Sequence, residues 1–131
     1  MPRKTIRQRN NTTDTNSRLN RVRPILDSII GTEDSDDLML SIIENLKDTV
    51  LIPDVGKYYT FIYAPKTPNI EYDAHPLVAV TNIYSWGFRG LNYHWGRIRQ
   101  YSWEEIVGSL HVVNSAELKD LRTIPFSKKI K

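Results

Sequence analysis

The feature that most constrains this chain is the nearly unbroken apolar run from Pro76 to Tyr84, containing Leu77, Val78, Ala79, Val80 and Ile83. A run of that length, rich in β-branched residues and entered through a proline, predicts a strand covered on both faces and paired on both sides. Its partners are expected close by. Tyr58-Tyr59-Thr60-Phe61-Ile62-Tyr63 is aromatic and β-branched, as strands prefer. Phe88 to Trp95 reads as a further strand with polar positions at Arg89, Asn92 and His94, and Ser85-Trp86-Gly87 as the turn before it. The glycines Gly87 and Gly90 suggest a bulge or sharp bend of the kind small barrels use at corners. Ala64 to Asp73, with Pro65, Pro68 and Asn69, reads as an irregular loop.

Around this sheet the pattern changes to helical. Ser35 can cap a helix whose first turn holds Asp36 and Asp37, where the helix dipole favours acids. Leu38, Ile42 and Leu46 follow at four-residue spacing, which predicts an amphipathic helix over about residues 35–48. That apolar face is a candidate interface, and packing on the chain's own domain is its default use. Ile25, Leu26, Ile29 and Ile30, closed by Gly31, form a shorter helical pattern. Ser102-Trp103-Glu104-Glu105 fits a capping box that should open a short helix ending near Gly108. Leu110 to Val113 can then close the sheet, Ser115 to Leu118 starts another helical turn, and Lys128, Lys129 and Lys131 form a solvated tail. The expected fold class is α+β. An N-terminal extended arm and an amphipathic helix precede a small, strongly bent, SH3-like β-barrel.

Charge divides the 131 residues in the same way. Residues 1–24 form a basic arm of net charge +6, residues 25–56 an acidic helical segment of −7, and residues 57–131 a barrel domain of +4. The arm carries Arg3, Lys4, Arg7, Arg9, Arg18, Arg21 and Arg23 in a polar background of Asn, Thr and Ser. Alone, such a segment buries too little to offset its chain entropy, so its expected use is contact with a partner. Insertion into an acidic groove of a neighbouring protein is the first expectation, and salt-sensitive contact with nucleic acid phosphates the second. The absence of cysteine removes disulfides and thiolate chemistry, and no apolar run reaches the length of a membrane span.

Signs of catalysis are few. His75, His94 and His111 lack metal-ligand spacing, and there is no phosphate-binding glycine loop or nucleophile elbow. Asp73 and His75 could orient one another as a general-base pair, although organising the turn into the central strand is the plainer reading. Asp73, His75, Asn92, His94 and Trp95 together form a candidate polar and aromatic cluster of the barrel, with Asn92 and His94 on one side of a strand. Arg89, Arg97 and Arg99, near Trp86, Tyr93, Trp95 and Tyr101, could form a base-stacking face, although such aromatics are more often the core of a small barrel with arginine stems covering them. No enzyme, cofactor or metal is expected from these residues.

The stretch Tyr59 to Trp103 carries a resemblance. Its Tyr72-Asp73, His75-Pro76 and Gly87-Phe88-x-Gly90-Leu91-Asn92-x-His94-Trp95 pattern resembles a family of small structural proteins of contractile-tailed phages (myoviruses, cyanophages among them). The resemblance covers about a third of the chain and leaves out the arm and the acidic helix. It implies a virion protein made in the host cytoplasm, in the tail or baseplate first and the head or neck second. Its partners would be other virion proteins and copies of itself. A looser likeness to MazF-type endoribonuclease barrels extends to architecture alone, because their catalytic residues do not map here. The alternatives are therefore a DNA-binding accessory protein and, behind it, a barrel-type nuclease.

Overall fold

The computed structural model describes residues 20–28, 34–124 and 128–131. In chain order the elements are α1 (Arg23–Ser28), α2 (Ser35–Asn45), β1 (Thr49–Val50), β2 (Tyr58–Tyr63), β3 (Glu71–Asp73), β4 (Leu77–Ile83), β5 (Gly87–Asn92) and β6 (Arg97–Ser102). A 3-10 turn (Trp103–Glu105), β7 (Ile106–Val113), α3 (Ser115–Leu121) and β8 (Lys128–Ile130) complete the described chain. Six strands form one antiparallel sheet in the order β1-β7-β2-β4-β5-β6, and β3 pairs with β8 in a second, two-stranded sheet. The fold is α+β. The large sheet is not closed: β1 and β6 are its edges, where the sequence suggested a closed SH3-like barrel.

β2 and β4 occupy the interior of the sheet, as their apolar character requires. Tyr58 and Tyr59 are adjacent in β2 and serve different cores, because successive side chains of a strand point to opposite faces. Tyr59 joins Phe61, Val78, Val80, Phe88, Tyr101 and Leu110 in an aromatic core. Phe61 meets Tyr101 edge to face at 5.2 Å and Phe88 at 5.7 Å, the geometry that ring quadrupoles favour. Tyr58 packs against the second core, where α2 and α3 meet the sheet through Met39, Ile42, Leu46, Leu77, Val113, Leu118 and Leu121. Val22 is buried there too, so residues from all three charge segments share one core.

Several local expectations are corrected. The bulge lies in β4, at the register shift between Val80 and Asn82, and Gly90 and Arg89 face it from β5. β5 ends at Asn92, leaving His94 and Trp95 in the turn over residues 93–96. The segment 97–102, not read as a strand, is the edge strand β6. The box at Ser102 opens a single 3-10 turn, since Ser102 Oγ donates to Glu105 Oε1 at 2.6 Å and makes no bond to the backbone there. β7 begins at Ile106, inside the expected helix, and runs between β1 and β2 instead of closing the sheet. The loop over 64–73 and the C-terminal tail pair with each other as β3 and β8.

Candidate functional site

The candidate cluster assembles around Asp73, which is buried at the end of β3. Its Oδ1 accepts from the His75 backbone N–H at 3.0 Å, and its Oδ2 pairs with His94 Nδ1. Asn92 is buried at the end of β5, and its Oδ1 accepts from the backbone N–H groups of His94 at 2.8 Å and Trp95 at 3.3 Å. Its Nδ2 donates to the Tyr101 hydroxyl at 2.9 Å. One asparagine thus shapes the turn after β5 and ties it to β6. Asn92 and His94 meet through this capping, not through strand alternation.

A second carboxylate–imidazole pair lies alongside. His75 Nδ1 stands 3.4 Å from Asp36 Oδ1 in the first turn of α2, and Lys129 Nζ approaches Asp36 Oδ2 at 2.5 Å from β8. The tail lysine is therefore engaged where solvation was expected. A helix, the bend after β3 and the short strand β8 are joined through one aspartate.

Burial holds the His75 imidazole below its ordinary pKa of 6.5, against the opposing pull of Asp36 and Asp73. The unfolded chain then binds more protons than the folded one as pH drops through 6.5. The stability contributed by neutral His75 is complete above 6.5 and is lost as pH falls from there toward the folded value. The melting temperature is expected to decline as pH falls from 6.5 to about 5, and His75→Gln should remove that part of the decline. Scanning calorimetry across this range checks it. The depressed carboxyls Glu105, held by Ser102 and the Lys66 N–H, and Asp120, held by Arg23, start from ordinary values of 4.5 and 3.8. Their contributions fall away at lower pH and stay separable.

The chemistry open to this cluster is narrow. An aspartate on Nδ1 fixes the His94 tautomer, as in a general-base pair. Nε2 of the same ring is buried away from the surface, however. A cleft of about 50 Å³ beside it is lined by Tyr63, Asp73, Trp95, Arg99 and Tyr101, among others. Burial pushes the Tyr63 hydroxyl up to about 12, and burial drives the Tyr101 hydroxyl higher still, so both phenols stay protonated. Among the described residues no group of three or more histidine, aspartate or glutamate side chains could hold a metal ion.

The remaining sequence candidates are placed as follows. Arg3, Lys4, Arg7, Arg9 and Arg18 lie outside the described residues. Arg21 and Arg23, grouped in the sequence with a partner-seeking arm, are turned onto their own domain. Arg21 donates through Nε and Nη2 to both oxygens of Glu117, at 2.7 and 2.9 Å, and Arg23 grips Asp120 in the same two-pronged way at 3.0 and 2.7 Å. Ile42 and Leu46 are fully buried in the helical core and Leu38 packs against it, so this face has the default use read from the sequence, packing on its own domain, and not the interface that was its other candidate use.

The aromatic face is also spent in part. The guanidinium groups of Arg99 and Arg97 lie 4.0 and 5.1 Å from the centre of the Trp95 ring, so arginine already stacks where a base would. Trp86 stacks on Tyr84 at 5.1 Å and remains exposed at the tip of the β4–β5 hairpin.

Sequence reasoning missed Glu117 and Asp120, the buried acids of α3. A signal was present in Asn114-x-x-Glu117, whose reciprocal capping box opens α3. It also missed the apolar pair Leu51 and Ile52, among the most exposed large hydrophobic residues at 75% and 61%.

Fold and cluster together define a small α+β protein on an open antiparallel sheet, whose buried polar groups join its elements. No protein-family model, curated protein or solved structure matches the chain. Among the described residues, no helix is long and apolar enough to cross a membrane.

Proposed function

We propose that this protein is a non-enzymatic assembly component of a tailed-phage particle, in the tail or baseplate before the head or neck. It joins neighbouring subunits through its surface and its basic arm. The observation that carries the assembly part is the division of labour among its side chains. The Asp73, His75, Asn92 and His94 groups are occupied in holding turns and elements together, while Leu51 and Ile52 stand exposed together on the wall of a groove. Exposed apolar side chains grouped beside a groove are the usual mark of a docking surface. The virion part rests on the pattern between Tyr59 and Trp103.

The DNA-binding alternative keeps the five basic residues before Asn20, but Arg21 and Arg23 are already committed to acids of α3. The nuclease alternative would need His94 or His75 to reach a substrate, and both are buried. Mass spectrometry of purified particles of the encoding phage, separated into heads and tails, tests the proposal. Enrichment in one fraction is the expected result. Absence from both would overturn the virion assignment and promote DNA binding.

A further inference from the structure

Beside the short edge strand β1 lies a groove of about 230 Å³ lined by Leu51, Ile52, Trp103, Ile106, Gly108 and Leu110. β1 covers β7 only at Leu110 and His111, whereas β7 continues back to Ile106. Among the described residues no strand pairs with that remaining stretch of β7 on the β1 side. The backbone turns at Gly108, with φ of +79°, in the stretch of β7 where the register with β2 shifts. The result is a recess walled by apolar side chains, four aliphatic and one aromatic. A cavity of roughly 150 Å³ admits a benzene-sized molecule, so this groove admits an aliphatic side chain.

Its surroundings are acidic. Asp48 precedes β1, Asp54 follows Ile52, and Glu104 lies between Trp103 and Ile106; all three carboxylates are exposed. Their present partners are Arg21 at 2.9 Å, Lys57 at 3.4 Å and Lys66 at 3.5 Å. The last two are loose surface pairs of the kind that contributes under about 1 kcal/mol and yields readily to a better-placed cation.

We propose that this groove receives the N-terminal segment of a second copy of the chain, with Ile6 in the apolar recess and Lys4, Arg7 and Arg9 against the carboxylates. This rests on the assembly reading and names its partner. The segment has the complementary composition: one β-branched apolar residue, Ile6, flanked by Lys4, Arg7 and Arg9. It also has the reach. Asn20 is anchored to Asp120 at 2.6 Å, and Ile6 precedes it by 14 residues. Extended, 14 residues span about 45–50 Å. A domain of this size has a radius of gyration of only about 14 Å, so the segment can cross to a neighbour's groove.

The chain has no cysteine, which makes the test direct. An Ile6→Cys protein is mixed with an equal amount of Leu51→Cys protein under mild oxidation, with Thr81→Cys, exposed on β4, as the control partner. The expected result is an Ile6–Leu51 heterodimeric disulfide formed about tenfold faster than the Thr81 control, and slowed by high salt. Equal rates to both partners would overturn the proposal. So would an Ile6→Cys/Leu51→Cys double variant that closes only within one molecule, since the segment would then serve its own groove. Neither outcome touches the particle measurement, so the two proposals fail separately.

Discussion

Replacing Glu117 with alanine is expected to destabilise the protein by about 3 kcal/mol, the low end of the range for breaking a buried ion pair. Glu117 has 0% exposure. Its carboxylate accepts from Arg21 Nε and Nη2, from the Arg21 backbone N–H at 2.7 Å and from the Asn114 N–H at 3.1 Å. Alanine removes the acceptor for all four donors at once. The guanidinium keeps Asp48 and the Val112 carbonyl and is partly exposed, which holds the cost to the lower end of that range. Glu117→Gln preserves the shape and loses the charge, and should cost about half as much. Removing both partners in Arg21→Met/Glu117→Leu should recover only part of the loss, because it leaves no buried charge but still strips the Arg21 and Asn114 backbone N–H groups of their acceptor. Urea denaturation followed by circular dichroism measures all three. A loss below about 1 kcal/mol for the alanine variant would mean the pair is solvated and does not fasten residues 20–28 to α3.

Gly87→Ala is expected to cost about 3 kcal/mol or more, through overpacking against backbone that cannot move aside. A Cβ at this position would stand 2.0 Å from the Tyr101 carbonyl oxygen and 2.7 Å from the Ser102 Cα. Gly87 is registered with Ser102, and Phe88 with Tyr101, so relief requires β6 to move off β5. That displacement would open the aromatic core, where Tyr101 meets Phe61 at 5.2 Å and Tyr63 at 5.0 Å. The near-UV circular dichroism of these rings should weaken together with the loss of stability. Gly56→Ala is the matched comparison. No atom lies within 4 Å of its Cβ, but φ is +86°, so conformational strain alone should cost about 1 kcal/mol. Equal losses at the two glycines would show that β6 yields without penalty.

Legibility followed the range of the interaction. β2 was readable to its end residues, since aromatic and β-branched side chains state their preference locally. α2 was readable through its acids and four-residue spacing, but its N-cap is Asp34, with Ser35 already helical and no side-chain capping bond, and it stops at Asn45, before the expected end. β6 was not readable: four of its six residues are polar or charged, and an edge strand need bury only part of one face. The helix expected from Ser102 failed because β7 needs Ile106 and Val107 to pair with Tyr63 and Ile62, and that ladder outweighs one capping signal. In the candidate cluster the residue types were visible, but not the contact that unites them. Asp73 and His94 are separated by 21 residues and meet only because β3 and the turn after β5 converge.

By itself the sequence determined that β2, β4 and β5 are strands and that α2 is a helix, and that a basic segment precedes an acidic one. It also determined that disulfide and thiolate chemistry are closed to this chain. Those properties follow from side-chain shape, periodicity and charge, which act over a few residues. The tertiary structure decided that the sheet stays open, that the helix face of Ile42 and Leu46 is core, and that Arg21 and Arg23 belong to α3. Arg21 lies 96 residues from Glu117 in the chain, and a charge shows its sign in the sequence but not its partner. The partner is chosen when the hydrophobic cores close and bring the two groups within reach, and burial then decides which charges remain for another molecule.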